Sequence, residues 1–373
     1  MNQLESALLL NSIPDIGPVR FKSLKEHFGN LSQVFQSSVS DLRAVEGISE
    51  NLARKILAAA GGKAVSVEKE LKSCDVHGIR ILTLEDSQYP SLLRTLVNPP
   101  PLLYCKGRIE ILTEPSLAVV GTRKPTPYGE KVAAQFSREL SDLNLVLVSG
   151  MARGIDTVVH RATLEARGKT IAVLGSGLLK IYPPENRGLA GSIAGSGLLV
   201  SEFPLESSPE PGHFPQRNRI IAGISLGTVV IEADEHSGAL ITARLAAEQG
   251  KDVFAVPGPI TSKMSLGPHR LIKEGAKLAQ TVDDILEEIA LLKDSLFDRS
   301  KKRPPAGSSQ NDAGGSRTLE EKKILELIGM EPLPIDALLS QSKLSPGEFS
   351  KTLLSLELKG TVRSLPGKRY VRN

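Results

Sequence analysis

The chain of 373 residues is 40% hydrophobic and 24% charged, with a net charge of +4. That length predicts two or three domains, and that balance belongs to a globular protein with large cores, not to a polybasic nucleic-acid coat or an acidic tail protein. No apolar run approaches the roughly 20 residues that span a bilayer. Residues 1–13 carry Glu5 and no basic cluster, so they do not read as a signal peptide, and no membrane insertion is expected. Cys74 and Cys105 are the only cysteines, without C-x-x-C spacing. They exclude a disulfide scaffold and a cysteine-built zinc site and point to a reducing cytoplasm. Aromatics at 4%, with no Trp, exclude a broad base-stacking platform, so any nucleic acid must be held by a few placed residues.

Residues 1–70 read as short helices joined by Gly-bearing turns. Ile13-Pro14-Asp15-Ile16-Gly17-Pro18 precedes a helix over 19–27, Val45-Glu46-Gly47-Ile48-Ser49 precedes another over 50–60, and Gly61-Gly62 closes the repeat. The unit resembles a helix-hairpin-helix module, with one glycine (Gly17 or Gly47) in each turn where that pattern has a pair. Two uses stay open: turn amides facing a phosphate, or a packing module without DNA contact.

From 78 to 290 the texture changes. Short β-branched and Leu-rich runs recur at 79–84, 117–120, 145–149, 170–174, 198–201, 228–232 and 253–256, with helical spacing between most of them, as at 129–143, 156–167 and 238–250. Strands alternating with helices predict βαβ units and a mainly parallel sheet covered on both faces. Most runs end in Gly, Ser or Glu, at the carboxyl edge where an open sheet places its ligand. Residues 298–317, rich in Pro, Gly, Ser and charge, read as a disordered linker with five basic against two acidic residues. Residues 318–373 resume as helices over 319–328, 335–339 and 346–359, followed by a hairpin of 362–365 and 370–372 turning at Pro366-Gly367-Lys368. Three helices and a hairpin make a winged helix.

The usual catalytic signatures fail. Gly175-Ser176-Gly177 is followed by Lys180 where a dinucleotide fingerprint needs Gly, and Gly168-Lys169-Thr170 leads into a strand where a P-loop lysine would open a helix. The six histidines show no metal-binding spacing, and no G-x-S-x-G elbow occurs. No catalytic residue, metal or cofactor is therefore assigned.

What remains is three polar clusters at predicted strand or helix ends. Gly121-Thr122-Arg123-Lys124-Pro125 ends one strand, Gly150-Met151-Ala152-Arg153-Gly154 ends the next, and Phe214-Pro215-Gln216-Arg217-Asn218-Arg219 precedes an apolar helix. Glycine lets a backbone approach an anion, helix-start amides bind it, and arginine forks onto phosphate oxygens. After Glu232, Ser237-Gly238 and Thr242 either bind a phosphate or base, or serve as a helix cap and a packed side chain; the second reading is favoured.

The runs AVVGTRKPTPYG, LVSGMARGID, AVLGSGLLKIYPPEN, SEFP, HFPQRNRIIAGIS, TVVIEADEHSGALITARLAAEQGKDVFAVPG and LIKEGA resemble, in order and spacing, the DprA (Smf) DNA-processing family. The match is dense over 75–290. The resemblance implies an extended Rossmann-like domain over 75–297, flanked by the helical module and the winged helix. It implies a non-catalytic cytoplasmic homodimer that binds single-stranded DNA and loads a RecA-type recombinase on it during natural transformation and recombination. By matching position, the DNA pocket would include Arg123, Lys124, Phe214, Arg217, Asn218 and Arg219, with Gly121, Thr122, Gly150 and Arg153 shaping its floor. Some relatives carry lysines where this chain has Pro184 and Pro211, so its pocket is less charged. The expected division of labour has Arg123, Arg217 and Arg219 gripping the backbone while Phe214 stacks a base. The rival is a nucleotide-processing enzyme of the lysine-decarboxylase-like (LOG) class with Glu232 as acid or base; its PGGxGTxxE signature is absent from this chain.

Overall fold

The computed structural model describes residues 1–13, 15–60, 67–289, 319–328, 333–358, 361–365 and 369–372. The chain divides into two compact units, 1–302 and 303–373. The expected linker at 298–317, the Gly61-Gly62 pair and the 366–368 turn lie outside the described residues.

The first unit begins with six helices: α1 (Gln3–Asn11), α2 (Pro18–Phe28), α3 (Leu31–Val34), α4 (Val39–Arg43), α5 (Glu50–Ala58) and α6 (Val67–His77). Their starts follow capping chemistry: Asn2 with Glu5 and Ser38 with Asp41 form capping boxes, Ser49 caps α5, and Pro18 supplies the first turn of α2. Gly47 has φ +80°, a conformation that glycine adopts without strain. Arg20 ties the two repeats together, donating from Nε to the Gly47 carbonyl (2.9 Å) and from Nη1 to the Asp15 carbonyl (2.6 Å).

The helices do not form a core of their own. Leu10, Leu24, Val34, Leu42 and Ile56 are fully buried in one cluster with Leu102, Tyr104 and Leu199 of the sheet. Glu70 reaches across to accept the Leu205 N–H at 2.8 Å. Helix α6 runs through the expected boundary between 70 and 75, so the helical module and the sheet are fused through a shared interior.

Next come β1 (Arg80–Thr83), α7 (Ser91–Arg94), β2 (Leu102–Gly107), β3 (Ser116–Val120), α8 (Pro127–Asp142), β4 (Val146–Ser149), α9 (Ile155–Glu165), β5 (Lys169–Val173), α10 (Arg187–Ser196) and β6 (Leu198–Ser201). The chain continues through α11 (His213–Ile224), β7 (Gly227–Val230), α12 (Gly238–Glu248), β8 (Asp252–Ala255), α13 (Leu266–Lys273), β9 (Lys277–Leu278) and α14 (Val282–Glu288). The sheet order is β1-β2-β6-β5-β4-β3-β7-β8-β9. Pairing is parallel from β6 to β9 and antiparallel at β1–β2 and β2–β6. The centre is in register through Ala118 opposite Val148 on one side and Thr228 on the other. Strands β3, β4 and β7 are buried at every residue, as expected for parallel strands covered on both faces. The strand order reverses between β3 and β7. That is the topological switch point, where two carboxyl ends diverge and leave a crevice.

Both cysteines are free and buried, and burial pushes both thiols up to about 12. Among the described residues no helix is long and apolar enough to cross a membrane.

The second unit has α15 (Leu319–Leu327), β10 (Leu333–Pro334), α16 (Ile335–Ser342), α17 (Pro346–Leu358), β11 (Val362–Leu365) and β12 (Arg369–Arg372). Ile324, Leu338, Phe349, Leu356 and Val362 meet in its core, beside a small sheet in the order β10-β12-β11. This is the expected winged helix, with β10 as an additional strand.

Candidate nucleic-acid interface

A cleft of about 730 Å³ opens at the switch point, within the range of about 300–1,000 Å³ that holds drug-sized ligands. One wall is the loop after β3 together with the start of α11. The other is the loop after β7 together with the start of α12. A second cavity, of 440 Å³, lies between α12, β8 and α13. Among its charges, Arg270 pairs with Glu274, and Lys277 with Asp252 and Glu288.

The loop after β3 is sewn in place. Thr122 N donates to the Glu232 carbonyl at 2.6 Å, and Ile155 N donates to the Thr122 carbonyl at 3.1 Å. A side chain at Gly121 would come within 2.6 Å of Ile155. Gly154, at φ +76°, lets the start of α9 press directly on the backbone of Thr122 and Arg123. The loop thereby presents Arg123 and Lys124, both exposed, and neither has a carboxylate partner among the described residues. The Arg123 guanidinium carbon sits 5.6 Å from the centre of the half-buried Phe214 ring, a cation–π contact that leaves its hydrogen-bond donors free. Tyr182 packs on Phe214 with ring centres 5.7 Å apart.

Helix α11 begins at His213, so the arginine-rich run lies inside the helix and not before it. Helical phase then separates its side chains. Phe214, Arg217, Asn218 and Ile221, spaced i, i+3, i+4 and i+7, share one face and line the cleft. Arg219 points elsewhere: it donates to the Asn98 carbonyl (2.6 Å) and pairs with the buried Glu202. Against the expectation that Arg219 grips DNA, the structure places it outside the cleft lining, its charge held by protein on the far side of the helix.

Arg217, expected to grip phosphates, is a buried group. It is 4% exposed, and its Nη1 donates to the carbonyls of Gly150 and Val173, the former just past β4 and the latter ending β5, while Nε donates to Asn218 Oδ1 at 3.1 Å. Burial lowers its pKa to about 10, so it stays charged at neutral pH. Gly150 is required beneath it: a Cβ there would stand 2.5 Å from the guanidinium. Asp156 is buried close by, accepting the N–H groups of Gly150 (3.1 Å) and Ala152 (3.2 Å); burial pushes its carboxyl up and Arg217 pulls it back. Arg217 is thus a cation built into the floor. Asn218 is equally committed, with its Nδ2 donating to the Gly238 carbonyl at 3.3 Å and tethering α11 to α12. Arg153 flanks a small adjoining recess shared with Gly150, Tyr182 and Phe214, and its charge is offset by Glu185.

Glu232 is 3% exposed. Its carboxylate accepts the Thr126 N–H (2.9 Å) and hydroxyl (2.6 Å) at the start of α8, where Gly129 leaves it room. It fastens that helix and is not among the residues that line the cleft. Ser237 caps α12 through the Ala239 N–H, as favoured from sequence, yet it and Thr242 also line the cleft. Sequence reasoning missed Asp234, His236 and Met264, which complete the second wall. Asp234 and His236 follow the end of β7 at the switch point, and that position was the available signal.

His160 on α9 is fully buried, with Nδ1 2.7 Å from the Thr170 hydroxyl, and burial drops its pKa to about 3. The unfolded chain binds this proton below about 6.5 and the native state does not, so the His160 contribution to stability falls as pH drops from 6.5 towards 3. Its loss at pH 5 is about 2 kcal/mol. Urea titrations at pH 5 and pH 7 should show a smaller pH-dependent loss for His160→Gln than for the unaltered protein.

Fold and cleft together define a doubly wound α/β protein with a cleft at its switch point, N-terminal helices fused to the sheet and a separate winged-helix unit. The family model for DNA recombination-mediator protein A matches residues 80–290, the DprA winged helix domain 303–368, and a SAM-like helix-hairpin-helix tandem 7–61. The chain is 34% identical to protein Smf of Synechocystis, over 98% of both chains, and 43% identical to DNA processing protein DprA of Bacillus subtilis, over 57% of this chain and 72% of that one. The Streptococcus pneumoniae DprA structure superposes with a TM-score of 0.68 at 34% identity, covering 78% of this chain and 99% of that one. The structure of DNA processing protein A of Helicobacter pylori, described for its single-stranded DNA binding mode, superposes at 0.52 with 33% identity, covering 58% and 97%. The chain belongs to the DNA recombination-mediator protein A (DprA/Smf) family.

Proposed function

We propose that the switch-point cleft binds single-stranded DNA and that the protein, as a homodimer in the cytoplasm, loads a RecA-type recombinase on that strand during DNA uptake and recombination. The observation that carries the DNA reading is Arg123: a guanidinium without an acceptor among the described residues, poised over an aromatic ring at the mouth of a cleft with a buried cation in its floor. Arg123 and Lys124 meet phosphates, the Gly121 loop keeps the backbone close, and Phe214 stacks one base. Stacking needs an unpaired base, so single strands win over duplex.

Titration of the full chain with fluorescent oligo-dT tests this. Arg123→Ala should weaken binding by about tenfold to a hundredfold, the loss of a charged hydrogen bond of about 1.5–3 kcal/mol, with an unchanged thermal transition. Phe214→Ala should lower affinity by about 1–3 kcal/mol without altering the salt dependence. With two free cations, the slope of log affinity against log salt should be near −1.4, using ~0.7 per phosphate contact. Equal affinity of Arg123→Ala and the unaltered protein at matched salt would rule the reading out. The recombinase step is tested by strand-exchange assays on strands already coated with a single-strand-binding protein, and the homodimer by sedimentation.

A further inference from the structure

The second wall of the cleft differs in chemistry from the first. Thr242 on α12 is 2% exposed and lines the cleft, yet its hydroxyl makes no hydrogen bond among the described residues. A threonine inside a helix ordinarily bonds the carbonyl four residues back; Thr163 on α9 does so, donating to Val159 at 2.8 Å. For Thr242 that carbonyl belongs to Gly238, and it receives the Asn218 side chain instead, at 3.3 Å. The hydroxyl is thereby left to the cleft. The apolar side chains of Ile221, Ile241 and Met264 line the same space, and Asp234 is the charged group of this wall.

Apolar walls with one buried hydroxyl suit a flat, uncharged heterocycle. A phosphate on this wall would meet the Asp234 carboxylate, because Arg123 and Lys124 stand on the opposite wall. We propose that the α12 wall is a nucleobase pocket that receives a second base of the strand whose neighbour stacks on Phe214, with the Thr242 hydroxyl bonding the base edge. This inference rests on the single-strand reading of the cleft. A hydroxyl both donates and accepts, so it serves keto and amino edges alike and the pocket demands a base without selecting one. The cleft then grips a two-base unit, backbone on one wall and bases in two separate seats.

The test uses the full chain and oligo-dT carrying a single abasic site moved along the strand, with binding read by anisotropy. Unaltered protein should show two sensitive positions. Thr242→Val, which removes the hydroxyl and keeps the shape, should weaken oligo-dT binding about threefold to tenfold, the range of one hydrogen bond. Its thermal transition should hold or rise, because no protein partner is lost. Thr242→Ser should restore binding, and on the strand abasic at the second position Thr242→Val and the unaltered protein should bind alike. Wild-type affinity of Thr242→Val, or a single sensitive position in the abasic scan, would overturn the base pocket. If Thr242→Val does not fold, the scan on unaltered protein decides alone. A failure of the single-strand reading looks different: no binding of oligo-dT by the unaltered protein, or no effect of Arg123→Ala.

Discussion

Replacing Arg217 by Ala is expected to destabilise the protein by about 3–5 kcal/mol, the range for removing one member of a buried, hydrogen-bonded charged set. The guanidinium holds the Gly150 and Val173 carbonyls, at the ends of two neighbouring parallel strands, and offsets the buried Asp156. Truncation leaves two carbonyls without that donor and a buried carboxylate without its counter-charge. Arg217→Lys keeps the charge but lacks the forked donors, so it should fall between the two. Urea unfolding of the three proteins measures this directly. Unchanged stability, with only a shallower salt slope for oligo-dT binding, would make Arg217 the phosphate ligand that the motif suggests and refute the floor role.

Arg219→Ala is expected to destabilise by a similar amount, about 3–5 kcal/mol at neutral pH, and to leave single-strand affinity of the folded protein unchanged. Its partner Glu202 is 5% exposed and burial pushes its carboxyl up; Oε1 has no partner among the described residues, and Oε2 takes the Arg219 guanidinium. Without Arg219 the carboxylate loses its counter-charge and keeps only the Gln216 side chain, so its folded-state pKa rises further above the unfolded value. Stability tied to a raised carboxyl pKa is present at low pH and lost as pH rises through it. The variant should therefore lose more stability at pH 8 than at pH 5. Adding Glu202→Gln should recover part of the loss at pH 8. Thermal melts across that range, with oligo-dT titration at pH 7, check both halves. A drop in affinity without a drop in stability would return Arg219 to the DNA site.

These two arginines show where reading the chain stops. Phe214, Arg217, Asn218 and Arg219 stand together in one run, and a run looks like one cluster. Helix α11 starts before them and turns them by about 100° per residue, so a cleft-facing set and an outward set emerge from adjacent positions. The periodicity needed for this was present in the sequence once the helix was begun at His213. What each cation then meets was not: Asn98 lies 121 residues from Arg219, and Gly150 and Val173 lie 67 and 44 residues from Arg217. Asn218, taking the Gly238 carbonyl 20 residues away, decides in the same manner that Thr242 faces the cleft with a free hydroxyl.

By itself the sequence determined the βαβ alternation, the strands from β3 to β8 to within one or two residues, the winged helix and the crowding of polar loops at one sheet edge. Buried parallel strands must be continuously apolar, and ligand loops must be polar and glycine-bearing, so both leave a local trace. Tertiary structure alone decided the antiparallel addition of β1 and β2, the core shared by the N-terminal helices and the sheet, and which charges at the cleft remain free for a ligand. Strand pairing, shared burial and the neutralisation of a charge depend on groups brought close in space from far along the chain. Arg123 keeps an uncommitted charge because no carboxylate among the described residues folds up against it, whereas Arg219 loses its own to Glu202.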